Sequence, residues 1–127
     1  MFEHFPKGVG FAPVTTPAIH DELPLADVRA YSIDDSHTTE IDDALSVQGL
    51  GSGEVTVGIH IAAPGLAITP DSVADQIGRQ RLSTVYMPGH KITMLPDNVV
   101  QTYTLQEGQN CPALSLYVKF EETTLAL

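Results

Sequence analysis

The chain has 127 residues, of which 43% are hydrophobic, so a folded domain with one modest core is expected and a disordered chain is not. Its 16 acidic residues against 6 lysines and arginines give a formal net charge of -10. On bulk electrostatics alone, this charge disfavours a nucleic-acid-binding surface and suits a divalent cation. No run of about 18 apolar residues occurs, which excludes a membrane-spanning helix and a membrane partner.

Residues 1–27 contain four prolines and little hydrophobic periodicity, which predicts an extended lead-in before the first regular element. The first residues lack a basic stretch followed by an apolar core, so we expect no secretory signal. The single cysteine, Cys111, cannot form an internal disulfide. Together these features predict a cytoplasmic protein.

The next segments predict antiparallel strands. Val28 to Ile33 is predicted to be a short strand, and the acidic stretch after it is predicted to be a loop. Ala44–Val47 and Glu54–Ile61 are predicted to form a hairpin around the glycine-rich turn "GLGSG". In the second hairpin strand, Val55, Val57, Ile59 and Ile61 are expected to face the core, with Thr56 and His60 on the other face.

One helix is predicted over Thr69 to Arg81, with Thr69 as its N-cap and Pro70 in its first turn. Two short extended pieces around the Pro88-Gly89 turn follow it. Ala113 to Phe120 alternates apolar and polar residues and predicts a half-buried strand. The expected fold class is therefore α+β, with a mainly antiparallel sheet and one short helix, over residues 28–127.

The loop before the hairpin concentrates negative charge. It holds five carboxylates within ten residues and no lysine or arginine: Asp34, Asp35, Glu40, Asp42 and Asp43. Such charges repel one another unless something compensates them. A solvated surface loop is one explanation. A helix-loop-helix calcium site is excluded, because counting from Asp34 places Thr39 and Leu45 where that loop needs glycine and glutamate. A hydrolytic Mg²⁺ or Mn²⁺ site is the third explanation, since several carboxylates are what such a site requires.

Three further residues have two interpretations each. Tyr86, beside the Pro88-Gly89 turn, is either a packing residue or a stacking surface for a nucleic-acid base. Arg79 and Arg81 either complete the C-terminus of the predicted helix or contact phosphate groups.

The order of these segments resembles a known family. "YSIDDSHTTEIDDALSV", "VGIHIA", "SVADQIGRQRLSTVYMPGHKITMLP" and "ALSLYVKF" follow one another as at the start of the RNB catalytic domain. That domain defines the ribonuclease II and ribonuclease R family of processive 3'-to-5' exoribonucleases. The resemblance runs from about Val28 to Phe120 and implies that residues 28–127 are the N-terminal part of a longer, here truncated, RNB-like domain.

The resemblance implies roles for the acidic loop. The family's four acidic active-site positions fall on Asp34, Glu40, Asp42 and Asp43, which would be both catalytic and metal-binding. Asp34 and Asp43 would bind Mg²⁺ directly, with Mn²⁺ as the alternative ion. Asp42 would be closest to the chemistry, and Glu40, where the family usually has aspartate, would support a second metal. Asp35 has no assigned role.

The same resemblance implies a partner and a reaction. Tyr86 matches an aromatic position that stacks on the 3'-terminal bases of single-stranded RNA, and Arg79 and Arg81 are the expected phosphate contacts. The reaction would release nucleoside 5'-monophosphates. Because the family's domain is several times longer, we expect this chain to be weakly active or inactive alone, and to self-associate through exposed core surface. The alternative is a non-catalytic RNB-like module that binds a metal or a partner.

Overall fold

The computed structural model describes Gly10, Phe11, Val14 and residues 22–127. These residues fall into two compact units. The sheet unit comprises 22–63 and Tyr103–Leu127, and the helix unit comprises residues 10, 11 and 14 with Pro64–Thr102. The predicted lead-in, residues 1–27, lies largely outside the described residues. The elements in chain order are β1 Ala30–Tyr31, β2 Asp43–Gln48, β3 Glu54–Ala62, a 3-10 turn Pro64–Leu66, α1 Val73–Arg81, β4 Val85–Met87, β5 His90–Ile92, α2 Asp97–Tyr103 and β6 Ala113–Glu121.

The sheet unit is built on one antiparallel sheet with the strand order β1-β2-β3-β6. The predicted hairpin is confirmed, with β2 and β3 paired from Asp43↔Ile61 to Gln48↔Thr56. Its turn uses left-handed backbone at Gly49 (φ 80°), a conformation that favours glycine. β6 pairs with all nine residues of β3, which confirms the predicted strand and makes β6 an edge of this sheet. The prediction that this strand is half-buried is wrong, because Leu114 and Leu116 on its apolar face are 73% and 61% exposed.

The prediction of which face of β3 is buried holds at Val55 and fails at His60 and Ile61. Val55 is buried as expected, but Ile61 on the same face is 44% exposed. His60, which was expected on the outer face, is only 5% exposed. The physical reason is that His60 finds hydrogen-bond partners on both neighbouring strands, so this polar face can be buried without an unpaired ring nitrogen.

The helix unit contains α1 and a small hairpin. The helix begins later than predicted: Ser72, not Thr69, is the N-cap, and its side chain accepts a hydrogen bond from Asp75 N at 3.3 Å. Asp71 has a left-handed φ of 64°, so regular helix cannot extend back through it. At the other end Leu82 is the C-cap, and its N–H donates to the Gly78 carbonyl. The two short extended pieces predicted around the Pro88-Gly89 turn are β4 and β5, and the structure pairs them with each other.

A second helix, α2, is present that the sequence pattern did not indicate. Its β-branched residues, such as Val99 and Val100, favour strand on propensity alone. The Pro96 carbonyl nevertheless accepts from Val99 N at 2.9 Å and from Val100 N at 3.0 Å, which starts the helix. Burial stabilises it, since Val99 and Tyr103 are 1% and 2% exposed. The α+β class with a mainly antiparallel sheet is confirmed. Neither helix in the described part of the chain is long and apolar enough to cross a membrane.

Candidate active site

The acidic loop connects β1 to β2 within the sheet unit. Its first half is a turn in which Thr38 N donates to the Asp35 carbonyl at 2.9 Å. The Asp35 carboxylate accepts from Ser36 Oγ at 3.3 Å and His37 N at 3.4 Å. Asp35 therefore has a local structural role in shaping this turn.

The second half of the loop is anchored through its backbone. Ile41 N donates to Thr104 Oγ1 at 2.8 Å, and the Ile41 carbonyl accepts from Leu105 N at 2.9 Å. The next carbonyl, that of Asp42, accepts from Ala62 N at 2.8 Å. Asp42 and Asp43 thus lie where the loop joins the paired end of β2, on backbone held from two sides.

The four carboxylates differ in exposure. Asp34, Asp42 and Asp43 are exposed, whereas Glu40 is buried at 8% exposure. Asp43 faces the same side of the sheet as Ile61. Side chains alternate along extended backbone, so the preceding residue, Asp42, is expected to project to the other side. The donor chemistry, all carboxylate oxygen, fits a hard divalent cation. Within the described residues, however, no three His, Cys, Asp or Glu side chains are gathered into a ready ligand set.

The expected RNA contacts lie in the other unit. Tyr86, in β4, is 66% exposed. The exposed Arg79 guanidinium pairs with Asp71 Oδ1 at 3.3 Å and with Asp75 Oδ2 at 2.9 Å. These residues share the helix unit, whereas all four predicted metal ligands lie in the sheet unit.

Arg81 has a structural environment. Its guanidinium donates to the carbonyls of Thr93 at 2.7 Å and Gly10 at 2.8 Å, and it lies 3.9 Å from the centre of the Phe11 ring. Burial lowers the pKa of Arg81 from its usual range. These contacts make Arg81 an anchor between segments distant in sequence, and its role in RNA binding stays a prediction.

A buried polar network crosses the sheet near the acidic loop, and the sequence did not indicate it. Ser46 Oγ is 2.8 Å from His60 Nε2, and His60 Nδ1 is 2.8 Å from Ser115 Oγ. The three residues lie on β2, β3 and β6. Gly58 was the residue in the sequence that could have indicated close packing here, because a side chain at this position would collide with Ser46 Oγ and with the His60 ring. His60 pairs with Ala44, which follows Asp43 in β2. The network therefore holds β2 against β3 at the residue next to Asp43.

Tyr103 is the last residue of α2, and the next residue, Thr104, accepts the hydrogen bond from Ile41 N. The Tyr103 hydroxyl is buried and has no hydrogen-bond partner within the described residues. Burial raises the pKa of Tyr103 above its ordinary value, because the phenolate would lose hydration.

Comparison with known proteins adds the family. The RNB domain model matches residues 23–126. Exoribonuclease 2 of Proteus mirabilis is 37% identical over 111 residues, which cover 84% of this chain and 17% of that protein. Ribonuclease II, chloroplastic/mitochondrial, of Arabidopsis thaliana is 34% identical over 97 residues, which cover 76% of this chain and 12% of that protein.

Solved structures give the same fold. RNase R of Mycoplasma genitalium, in complex with ribose methylated single-stranded RNA, superposes with a TM-score of 0.70 at 22% identity. This match covers 76% of this chain and 15% of that one. Yeast Ssd1, described as a pseudonuclease, gives a TM-score of 0.69 at 25% identity, over 79% of this chain and 12% of that one.

The chain spans only 12% to 17% of the length of the curated relatives it matches. The family model nevertheless covers most of the described residues, including the acidic loop, both helices and all of the strands. The chain therefore belongs to the RNB domain family, that of ribonuclease II and ribonuclease R.

Proposed function

We propose that this chain forms the acidic, metal-binding part of a 3'-to-5' exoribonuclease that hydrolyses single-stranded RNA to nucleoside 5'-monophosphates. One observation carries the proposal. A loop with four carboxylates besides Asp35 enters β2 on backbone held by Thr104, Leu105 and Ala62, inside the region that matches the RNB domain. A purely solvated charged loop needs no such anchoring.

The loop residues have distinct proposed roles. Asp34, Glu40, Asp42 and Asp43 would hold Mg²⁺, or Mn²⁺ in its place. When bound, such an ion activates water and offsets charge on the phosphate under attack. The Asp42 carboxylate would orient the attacking water and accept its proton. Asp34 and Asp43 would contribute ligand oxygens, and the buried Glu40 would hold its carboxylate in a site that partly excludes water.

RNA is the proposed substrate and partner. The family membership and the solved structures of Mycoplasma genitalium RNase R in complex with RNA support this assignment. Tyr86 offers an exposed ring on which a base can stack. Arg79 could contact phosphate only by exchanging its two carboxylate partners for it, and Arg81 only by leaving its carbonyl partners.

Three properties of the isolated chain are also proposed. Its activity is weak or nil, because its relatives are several times longer. Its proposed location is the cytoplasm, because a chain with a single cysteine forms no internal disulfide and so suits a reducing compartment. It self-associates through apolar sheet surface that is exposed in the sheet unit.

The alternative function is a non-catalytic RNB-like module that binds a metal or a partner. The observation that favours it is the lack, among the described residues, of three ligand side chains already gathered together. The similarity to yeast Ssd1 shows that this fold also occurs in a protein described as a pseudonuclease.

An RNA degradation assay separates the two functions. The purified chain is incubated with 5'-labelled single-stranded RNA and either Mg²⁺ or Mn²⁺. We expect slow shortening from the 3' end with release of 5'-monophosphates, lost in Asp42→Asn. Asp35→Asn is the matched control, because it removes the same charge from the same loop at a residue that only shapes the turn. Shortening that continues unchanged in Asp42→Asn would refute the assignment of catalysis to this loop. Equal loss in both variants would refute the assigned role of Asp42.

A further inference from the structure

The acidic loop is held at Ile41 by a side chain from a distant part of the sheet unit. Thr104 Oγ1 accepts a hydrogen bond from Ile41 N at 2.8 Å and donates one to the Ile41 carbonyl at 3.4 Å. Leu105 N donates to the same carbonyl at 2.9 Å. All three residues are half-buried, so water does not freely replace these bonds. The Thr104 hydroxyl thus binds both polar groups of the Ile41 backbone.

Planar peptide groups carry this restraint to the neighbouring carboxylate residues. The Ile41 N–H belongs to the peptide that joins Glu40 to Ile41, and a planar peptide includes the Cα atoms on both of its sides. The hydrogen bond to Thr104 therefore restrains the Cα of Glu40. By the same geometry, the hydrogen bond from Leu105 N to the Ile41 carbonyl restrains the Cα of Asp42.

The next peptide, which joins Asp42 to Asp43, is held by a backbone donor, because Ala62 N binds the Asp42 carbonyl at 2.8 Å. A side-chain substitution leaves backbone N–H donors such as those of Ala62 and Leu105 in place. It can, however, remove the Thr104 hydroxyl. The restraint on the Glu40 Cα is therefore the one that a substitution at Thr104 should release.

We propose that Thr104 is a positioning residue for the metal site and acts through Glu40. This role rests on the proposed function, in which Glu40 is one of the residues that hold Mg²⁺ or Mn²⁺. Glu40 is 8% exposed, so packing around its side chain prevents the carboxylate from compensating for a displaced Cα. Metal affinity depends on ligands that are oriented by surrounding contacts. Thr104 carries no charge, so its effect on affinity comes from geometry.

Substitutions at Thr104 separate the hydroxyl from the shape of the side chain. Thr104→Val keeps the branched shape and removes both hydrogen bonds, whereas Thr104→Ser keeps the hydroxyl. In electron paramagnetic resonance titrations, Thr104→Val should bind Mn²⁺ about tenfold more weakly, the lower end for side chains that orient metal ligands. Thr104→Ala, which also lacks the hydroxyl, should lose at least as much affinity. Thr104→Ser should bind nearly as tightly as the wild type.

Thr102→Val is the matched control, because the Thr102 hydroxyl donates to the Asn98 carbonyl within α2 at 2.7 Å. It should leave Mn²⁺ affinity unchanged. Circular dichroism establishes which variants fold. Amide hydrogen exchange without metal follows the restraint itself: the Ile41 N–H should exchange slowly in the wild type and in Thr104→Ser, and faster in Thr104→Val.

A double-mutant cycle tests the route through Glu40. Glu40→Gln removes the carboxylate that Thr104 positions, so Thr104→Val should cost little further Mn²⁺ affinity in that background. Full, independent losses from the two substitutions would show that Thr104 does not act through Glu40 and would refute the proposal.

Two results distinguish this role from the proposed function. Equal Mn²⁺ affinity in the wild type, Thr104→Val and Thr104→Ala would overturn the role of Thr104 and leave the nuclease proposal intact. A wild-type chain that binds no Mn²⁺ would overturn both.

Discussion

The two faces of the four-stranded sheet contrast in both composition and burial. One face presents His60, Ser46 and Ser115, and His60 and Ser46 are 5% and 2% exposed. The opposite face, which we call the open face, presents aliphatic side chains, of which Leu114 and Leu116 are 73% and 61% exposed. The polar face is thus the buried one around Ser46 and His60, although Ser115 is exposed, whereas the open face is buried at Val55 and exposed toward Asp43.

The contrast shows what controls burial in this unit. A buried polar group costs little when its hydrogen bonds are made, and the His60 ring makes one at each nitrogen. Apolar side chains contribute less to stability when they face water. Within the described residues, Leu114 and Leu116 on the open face are covered far less than His60 on the polar face. We therefore expect the two faces to respond oppositely to substitution.

The largest expected effect is on the polar face. His60→Ala should lower the free energy of unfolding by about 3 kcal/mol, because it leaves a cavity and removes the partner of buried Ser46. Urea unfolding at low protein concentration measures this change. Ile61→Ala, at the next residue on the open face, is the matched comparison and should cost about 1 kcal/mol or less. Equal losses in the two variants would contradict the assignment of buried and open faces.

A smaller effect is expected from filling the gap beside His60. An added Cβ at Gly58 would collide with Ser46 Oγ and lie 2.7 Å from His60 Nε2. Gly58→Ala should therefore cost about 2 kcal/mol through overpacking. Gly65→Ala is the control, since nothing lies within 4 Å of its Cβ position. A Gly58→Ala chain as stable as the wild type would mean that the network has room to shift.

The smallest effect is expected at the unpaired hydroxyl of Tyr103. Because this buried group has no described partner, Tyr103→Phe should raise the free energy of unfolding by about 1 kcal/mol at neutral pH. The raised pKa of Tyr103 means that the unfolded chain ionises first, so wild-type stability should fall as pH rises above about 10.

Unfolding of wild type and variant at neutral and alkaline pH measures both effects. The Phe variant should lack the part of the alkaline loss that Tyr103 causes. Tyr31→Phe, at a residue 64% exposed, should keep the full pH dependence. Destabilisation by Tyr103→Phe at neutral pH would indicate that the hydroxyl is paired in solution.

Sequence patterns were sufficient for the elements that depend on local chemistry. The glycines in "GLGSG" predicted the turn of the β2–β3 hairpin, and the alternation over Ala113 to Phe120 predicted a strand there. Patterns could not predict the N-cap at Ser72, which follows from the backbone at Asp71, or the helix formed around Val99 despite its strand propensity. They also could not show which face of the sheet is covered, because that depends on contacts between distant residues.

The candidate site divides in the same way. The acidic loop and its four carboxylates were visible as a charge cluster, and the family gave them roles. Its anchoring by Thr104 and Leu105 could not be predicted, because these bonds join residues about sixty positions apart. The hydrogen bonds from Arg81 to the carbonyls of Thr93 and Gly10 could not be predicted from the sequence either. They give Arg81 a structural role besides the predicted phosphate contact.

Direct measurement of Mn²⁺ binding by electron paramagnetic resonance tests the central claim, that the acidic loop is a metal site. The wild-type chain should bind Mn²⁺ in a form that Mg²⁺ displaces. Asp42→Asn and Asp43→Asn should each weaken binding by at least about tenfold, about 1.4 kcal/mol, while Asp35→Asn should leave it nearly unchanged. Equal Mn²⁺ binding by all four proteins would contradict the claim and leave a solvated acidic loop.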